Sequence, residues 1–273
     1  MKIRTSSRSH AFTMVEIALC LAIVGFALVA IIGVLPTGMN VQKDNRQQTI
    51  VNQDAGVWLD ALRNGAYGFD DLTNYVVAIT NYWTEYEVRT DGTIVRNAGN
   101  ENSYSYAQSK VTFPAGVPND SFRLTNGYRI IGVLSTPKFW PVNGPSRVGL
   151  FTSNYVVAYV RSMSGAIVEK APQRNVDVLD SAFTYRMVVE NAPYVPAFLG
   201  DTNNATLYLH NLQLNNSTDV RLLFRWPALP TGIGNGRQNF RQMVAGSIFR
   251  RMDTNTPSHP VFFFEPSKFV QVQ

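Results

Sequence analysis

An uncharged apolar run at residues 17–35 is the feature that most constrains the fold. A helix of that length rises roughly 28 Å, which matches the hydrocarbon core of a bilayer. Three basic residues precede the run, Lys2, Arg4 and Arg8, whereas the first charges after it nearly balance. Because cytoplasmic flanks are the more basic ones, the N-terminus is predicted to be cytoplasmic and the rest of the chain to be exported.

Two common export signals fit this N-terminus poorly. An ordinary secretory peptide needs a small-x-small cleavage site after its apolar region, but Gly25-Phe26-Ala27 lies inside the run. A lipoprotein signal places a small residue before its cysteine, whereas Leu19 precedes Cys20 and most of the run follows it. Cys20 is the only cysteine, so no intrachain disulfide can form and its thiol is interpreted as a small apolar group.

A third kind of signal fits the border between the basic leader and the apolar run, which reads His10-Ala11-Phe12-Thr13-Met14-Val15-Glu16. This border resembles the class III signal of type IV prepilins and pseudopilins, in which prepilin peptidase removes a short leader just before a phenylalanine. The resemblance implies cleavage between Ala11 and Phe12, N-methylation of Phe12, and a filament-assembly role for Glu16, the fifth mature residue. The family usually has glycine at the position of Ala11, so slower cleavage is expected.

The physical chemistry of Glu16 agrees with an assembly role. A carboxylate at the apolar end of a membrane helix costs on the order of a few kcal/mol if it is left unpaired. In the mature chain the Phe12 amine lies one helical turn away, and in a filament the amine of an adjacent subunit could approach instead. The alternative is that Glu16 only reaches the lipid headgroups. Membrane lipid and other pilin or pseudopilin subunits are therefore the expected partners, beside prepilin peptidase.

The segment after the run is predicted to be a second helix. Pro36 should kink or end the first helix at Leu35, at the membrane surface. Four apolar residues then recur at helical spacing, Val51, Ala55, Trp58 and Leu62. Gly65 stands where a C-cap glycine would. We therefore expect an amphipathic helix over residues 36–65 that packs on the following domain.

The remainder of the chain has the periodicity of β-strands. Apolar and polar residues alternate over 183–189 and 220–226, and further apolar runs lie at 75–80, 128–135, 155–160 and 261–264. Residues 215–218 are predicted to form a hairpin turn after a strand at 206–214. The run of Phe262, Phe263 and Phe264 lacks alternation, so both of its faces should be covered. Turn-rich stretches lie at 97–110, 141–149, 191–204 and 227–239.

The predicted fold class is therefore α+β, with a long N-terminal helix packed on an antiparallel β-sheet head that carries large loops. The helix has a transmembrane half and an amphipathic half. The predicted organisation is a leader at 1–11, a transmembrane and assembly helix at 12–35, an amphipathic helix at 36–65 and an exported head at 66–273.

Catalytic and metal-binding constellations are not evident in the sequence. Hydrolytic and metal sites need convergent histidine, cysteine or carboxylate groups. Only two histidines, His210 and His259, lie after the leader. His210 is interpreted as a structural side chain in a strand. The pair Asp70-Asp71 lacks the spaced oxygen ligands of a calcium loop. Gly232, Gly234 and Gly236 lack the strand-to-helix context of a phosphate-binding loop and are interpreted as a flexible turn. We expect no enzyme activity, no cofactor and no metal.

The strongest basic patch consists of four arginines interleaved with Phe240 and Phe249: Arg237, Arg241, Arg250 and Arg251. Arginine beside aromatic rings can hold single-stranded nucleic acid, but a solvated charged face is the more ordinary interpretation. Removal of the leader would remove Lys2, Arg4 and Arg8 and so lower the formal charge from +5 to +2. Nucleic acid is therefore not the expected partner.

A narrower resemblance covers three further stretches, 33–38, 131–137 and Trp226-Pro227 with the glycine-rich segment after it. They look like the Verru_Chthon cassette type-B pseudopilins. The leading hypothesis is a minor pseudopilin or pilin-like structural subunit of a type II secretion or type IV pilus-like filament. It would be anchored in the inner membrane with its head in the periplasm or outside the cell. Two alternatives stay open, a DNA-binding minor pilin of a competence-type uptake system and a membrane-tethered periplasmic enzyme.

Overall fold

The computed structural model describes residues 12–65, 69–107, 121–124, 126–142, 149–164, 183–194, 204–253 and 256–269. The helices in these ranges are α1 (Met14–Asn64), α2 (Gly127–Leu134) and α3 (Asn204–Asn216), with a short 3-10 helix at Asp70–Asn74. The strands are β1 (Val76–Val88), β2 (Ile94–Ala107), β3 (Ser121–Arg123), β4 (Phe139–Pro141), β5 (Gly149–Arg161), β6 (Thr184–Pro193), β7 (Ser217–Leu229), β8 (Gly232–Ala245), β9 (Ser247–Asp253) and β10 (Thr256–Glu265). The chain divides into two compact units, which meet between Gln47 and Gln48.

Helix α1 is continuous from Met14 to Asn64, so of the two outcomes predicted for Pro36, a kink or an end of the first helix at Leu35, the end is wrong. Proline has a backbone φ that suits a helix, and its main cost inside one is a single lost hydrogen bond and a local clash. The Thr37 hydroxyl donates to the Val34 carbonyl oxygen at 3.0 Å in the same turn.

The C-terminal part of α1 confirms the predicted amphipathic stripe. Its four apolar residues are all fully buried in the core of the second unit: Val51, Ala55, Trp58 and Leu62. The helix ends at Asn64, and Gly65 follows with φ of +76°. That left-handed conformation is the C-cap geometry that glycine adopts without strain.

The second unit is built on one large sheet, with the strand order β3-β2-β1-β5-β6-β7-β8 and with β4 paired to the beginning of β5. All pairs are antiparallel except β2 with β3. The alternation predicted for β6 and β7 is confirmed, because one face of each strand is buried: Tyr185, Met187, Val189, Val220, Leu222, Phe224 and Trp226. The α+β fold with a helix packed on an antiparallel sheet is therefore present.

Two apolar runs predicted as strands are helices. Residues 128–135 lie mostly in α2, whose N-terminus is capped by the Asn126 side chain, which accepts from the Arg129 backbone N–H at 3.0 Å. Residues 206–214 lie in α3, and the predicted hairpin turn is instead the direct passage from α3 into β7. Asn216 Nδ2 donates to the Leu212 carbonyl oxygen at 2.9 Å near the end of α3. Short apolar runs fit either element by pattern alone, and these polar caps favour the helix.

The prediction of a flexible turn at Gly232, Gly234 and Gly236 is wrong, because all three lie in β8, where Gly232 and Gly236 pair with β7. Gly236 lies opposite Trp226, and a Cβ at position 236 would be 2.4 Å from the indole Nε1. A glycine at this position lets the indole lie directly on the neighbouring strand. Two other predicted turn-rich stretches, 97–110 and 191–204, belong partly to strands, because β2 extends to Ala107 and β6 to Pro193.

Strands β9 and β10 form a second, two-stranded sheet. Phe262, Phe263 and Phe264 on β10 are all nearly inaccessible to solvent, as their unbroken apolar run predicts. The Phe263 ring lies 4.4 Å from that of Tyr128 on α2, and the Phe262 ring 4.9 Å from that of Trp140 on β4. Both faces of the run are therefore covered within the second unit.

Candidate functional site

Residues 17–35 of α1 expose an almost wholly apolar helical surface. The large apolar side chains of this segment are half exposed or more, among them Ile17, Leu21, Phe26, Ile31 and Leu35. Cys20 is exposed as well. The segment is long and apolar enough to span a membrane, since residues 14–35 alone rise about 33 Å. Such a surface requires lipid or other apolar helices as its environment.

The N-terminus of α1 is closed by a reciprocal pair of hydrogen bonds between Thr13 and Glu16. The Thr13 backbone N–H donates to Glu16 Oε2 at 2.8 Å, and the Glu16 backbone N–H donates to Thr13 Oγ1 at 3.3 Å. The Thr13 hydroxyl also donates to Glu16 Oε2 at 2.8 Å. This is a capping box, and its signal in the sequence is threonine followed three residues later by glutamate.

The capping box gives Glu16 a structural role that the resemblance alone does not include. Oε2 is occupied by Thr13, whereas Oε1 has no hydrogen-bond partner within the described ranges. Phe12 lies just before the cap and is 81% exposed, and Ala11 lies outside the described residues. Thr13 therefore orients the Glu16 carboxylate and leaves one oxygen free for a second donor.

Of the four predicted arginines, Arg237 and Arg241 lie on β8 of the large sheet, whereas Arg250 and Arg251 lie on β9 of the two-stranded sheet. Arg241 Nε donates to Asp219 Oδ1 at 2.7 Å, and Arg251 lies 3.3 Å from Glu265. Two of the four thus compensate acidic groups of the head itself.

Asp219 is 2% exposed and also accepts from Arg221 Nε at 2.7 Å. Burial acts to raise the pKa of Asp219, but the hydrogen bonds from Arg241 and Arg221 outweigh it and hold the pKa below its ordinary value.

A different set of cations is aligned across the sheet: Arg186, Arg225 and Arg237 are cross-strand partners on β6, β7 and β8. Sequence spacing alone could not reveal that row, because its members come from three strands.

Asp54 is a functional candidate that the sequence reasoning missed. Its carboxylate is fully buried on the face of α1 that packs on the sheet, and it accepts from the Met163 backbone N–H at 3.0 Å and from Ser164 Oγ at 2.6 Å. Tyr185 Oη donates to Asp54 at 3.0 Å and itself accepts from Trp58 Nε1 at 3.0 Å. The network ties α1 to β6 and to the segment after β5. The signal for it in the sequence was that Asp54 adjoins Ala55, a member of the apolar stripe of this helix.

The described residues contain no cluster of three histidine, cysteine or acidic side chains that could hold a metal ion. His210 is half buried in α3, not in the predicted strand, and the side chain of His259 lies outside what the structure describes. Asp71 is exposed on the 3-10 helix.

No family model, curated protein or solved structure matches the chain. Function is therefore inferred from the chain itself.

The buried Asp54 makes stability depend on pH. Burial raises the pKa of the Asp54 carboxyl, and the hydrogen bonds from Ser164, Met163 and Tyr185 offset this only in part. The folded chain then holds the proton more tightly than the unfolded chain, so the free energy of unfolding decreases as pH rises from about 4 through the folded-state pKa. We expect Asp54→Asn to lose that decrease, as measured by urea denaturation across the pH range. Asp60→Asn, at an exposed position of the same helix, should keep it. An unchanged pH profile in Asp54→Asn would contradict the assignment.

Proposed function

We propose that the chain is a minor pseudopilin or pilin-like structural subunit of a filament that assembles at the inner membrane, in a type II secretion or type IV pilus-like machine. One observation carries the proposal. An exposed apolar helix begins at Met14, two residues after Phe12, has in its first turn a glutamate that closes the capping box, and continues without interruption to residues that are buried in the core of the head. A membrane anchor needs only the apolar length, whereas the placement of Glu16 suits assembly.

The apolar surface of residues 14–35 suits such a subunit both before assembly, in the membrane, and after assembly, in the filament. Before assembly, lipid covers the exposed side chains of residues 14–35, and in a filament the equivalent helices of neighbouring subunits replace that lipid. Glu16 Oε1 is the acceptor for the methylated Phe12 amine of an adjacent subunit, and pairing would remove both charges from the apolar interior.

Orientation and processing follow from the basic leader. Lys2, Arg4 and Arg8 hold the N-terminus in the cytoplasm, where prepilin peptidase would cut after Ala11, and the head lies in the periplasm or beyond. The work of such a subunit is mechanical, because a growing filament can displace exported proteins, and it requires no active site.

Processing provides the test of the proposal. Full-length chain produced with prepilin peptidase is expected to yield a mature protein that begins at N-methylated Phe12, as shown by intact mass and N-terminal sequencing. Ala11→Gly should increase the cleaved fraction, because glycine is the residue that the family carries before the cut. The control is the same chain in cells without the peptidase, which should keep residues 1–11. Retention of those residues in the presence of active peptidase would refute the proposal.

A further inference from the structure

A cleft of about 290 Å³ lies in the head, between one end of the large sheet and the two-stranded sheet. One wall comes from the face of β1 that carries the core residue Ile79, where the same face continues through Asn81, Trp83 and Glu85. Trp140 on β4 lies on this same face of the sheet, because Glu85 and Trp140 both pair with Thr152 of β5. The two-stranded sheet lines the cleft through Phe262. The volume is at the lower end of the range for small-ligand sites, about 300–1,000 Å³.

Aromatic rings form much of the surface of the cleft. The ring centroids of Trp83 and Tyr104 are 5.6 Å apart, and the rings of Trp140 and Phe262 meet edge to face at 4.9 Å. Tyr104 and Phe262 are buried, whereas Trp83 and Trp140 are only half buried. The two indoles therefore present apolar surface to a molecule in the cleft.

The floor of the cleft is an ordered pair of amides. Asn81 Nδ2 donates to Asn154 Oδ1 at 3.1 Å, and Asn154 Nδ2 donates to the Pro137 carbonyl oxygen at 2.9 Å. Asn81 is 3% exposed, yet its Oδ1 accepts no hydrogen bond from any described residue. A buried acceptor without a donor costs about 1–3 kcal/mol.

The charges at the cleft balance, because Glu85 and Arg250 contribute one of each sign. An anion would meet the Glu85 carboxylate, and a wholly apolar ligand would take that carboxylate out of water. A sugar ring carries C–H groups that pack on aromatic faces and hydroxyls at its edge that both donate and accept. We propose that the cleft binds a neutral carbohydrate of one or two pyranose units, which packs on the indoles of Trp83 and Trp140 and donates a hydroxyl hydrogen bond to Glu85.

The test uses the full-length chain in a zwitterionic detergent, because detergents with sugar headgroups would compete. Maltose, cellobiose and N,N′-diacetylchitobiose are titrated while tryptophan fluorescence and heat of binding are recorded. At least one of them is expected to bind saturably. Trp140→Ala should weaken that binding about tenfold or more, since central aromatic contacts dominate small interfaces. Glu85→Gln, which keeps the shape of the side chain, should weaken it severalfold.

Phe139→Ala is the matched control, because Phe139 is the neighbour of Trp140 on β4, is 48% exposed and does not line the cleft. Its affinity should equal that of the unaltered chain, and circular dichroism establishes that each variant is folded. Absence of saturable binding for all three sugars would overturn the proposal. So would binding that Trp140→Ala leaves unchanged, or a cleft that takes neutral 1-aminoanthracene or inorganic phosphate but no sugar.

Discussion

Glu16→Gln is expected to insert into the membrane normally but to fail to enter filaments. Glutamine at this position can still close the capping box with Thr13, so the helix N-terminus should remain intact. The charge is lost, however, and the Phe12 amine of the adjacent subunit would stay unpaired in an apolar interior. Breaking a buried ion pair in this way costs about 3–5 kcal/mol, which corresponds to about a hundredfold or more in the assembly equilibrium.

The comparison with Thr13→Ala separates the two roles of Glu16. This variant loses the cap but keeps the carboxylate, and loss of an N-cap costs about 1 kcal/mol. Its assembly should therefore be reduced only modestly. The measurement is the distribution of each variant between the membrane fraction and sheared filaments, by immunoblotting of cells that contain the filament machinery. If Glu16→Gln assembled like the unaltered chain while Thr13→Ala did not, Glu16 would act only as a helix cap.

Trp58→Ala is expected to destabilise the head by about 3–5 kcal/mol, the usual cost of truncating a buried large aromatic side chain. Trp58 is fully buried, and its Nε1 donates to Tyr185 Oη, which in turn donates to Asp54. The substitution thus opens a cavity under α1 and removes a donor from a buried network. Urea denaturation of the full-length chain, followed by near-ultraviolet circular dichroism, measures the change.

Val57→Ala is the control for this substitution, because Val57 is the adjacent residue of α1 and is 40% exposed. Its effect should stay within about 0.5 kcal/mol, as for most surface positions. Equal stability of Trp58→Ala and Val57→Ala would show that the helix is not held by the core of the head.

The elements that were predicted correctly are those with a long or repeated pattern. The stripe of Val51, Ala55, Trp58 and Leu62 spans three helical turns, and the strands around Tyr185 and Leu222 alternate over seven residues each. Over that many residues, only one kind of element, helix or strand, places all the apolar side chains of the pattern on one face. The runs at 128–135 and 206–214 were too short or too uniform to separate helix from strand, and their polar caps decided the outcome.

Glu16 shows how far the candidate site could be predicted. Its position after Phe12 is a property of the sequence, and so is the Thr13 to Glu16 spacing that forms the capping box. An interior proline costs a helix about 3 kcal/mol, yet α1 continues through Pro36 over 51 residues, so the position of a proline did not by itself decide where the helix ends. Nearness along the chain does not decide which sheet a strand joins, and the four arginines are divided between β8 of the large sheet and β9 of the two-stranded sheet.

The sequence by itself determined that an apolar segment long enough for a membrane precedes a β-rich head, because hydrophobic periodicity acts between residues a few positions apart. Only the tertiary structure decided which polar groups meet. Asp54 bonds Tyr185 across 131 positions, and Asn81 bonds Asn154 across 73. No local pattern encodes such pairs, because they arise where separate elements pack. The buried Asp54 network, the arginine row and the aromatic cleft are therefore products of the fold.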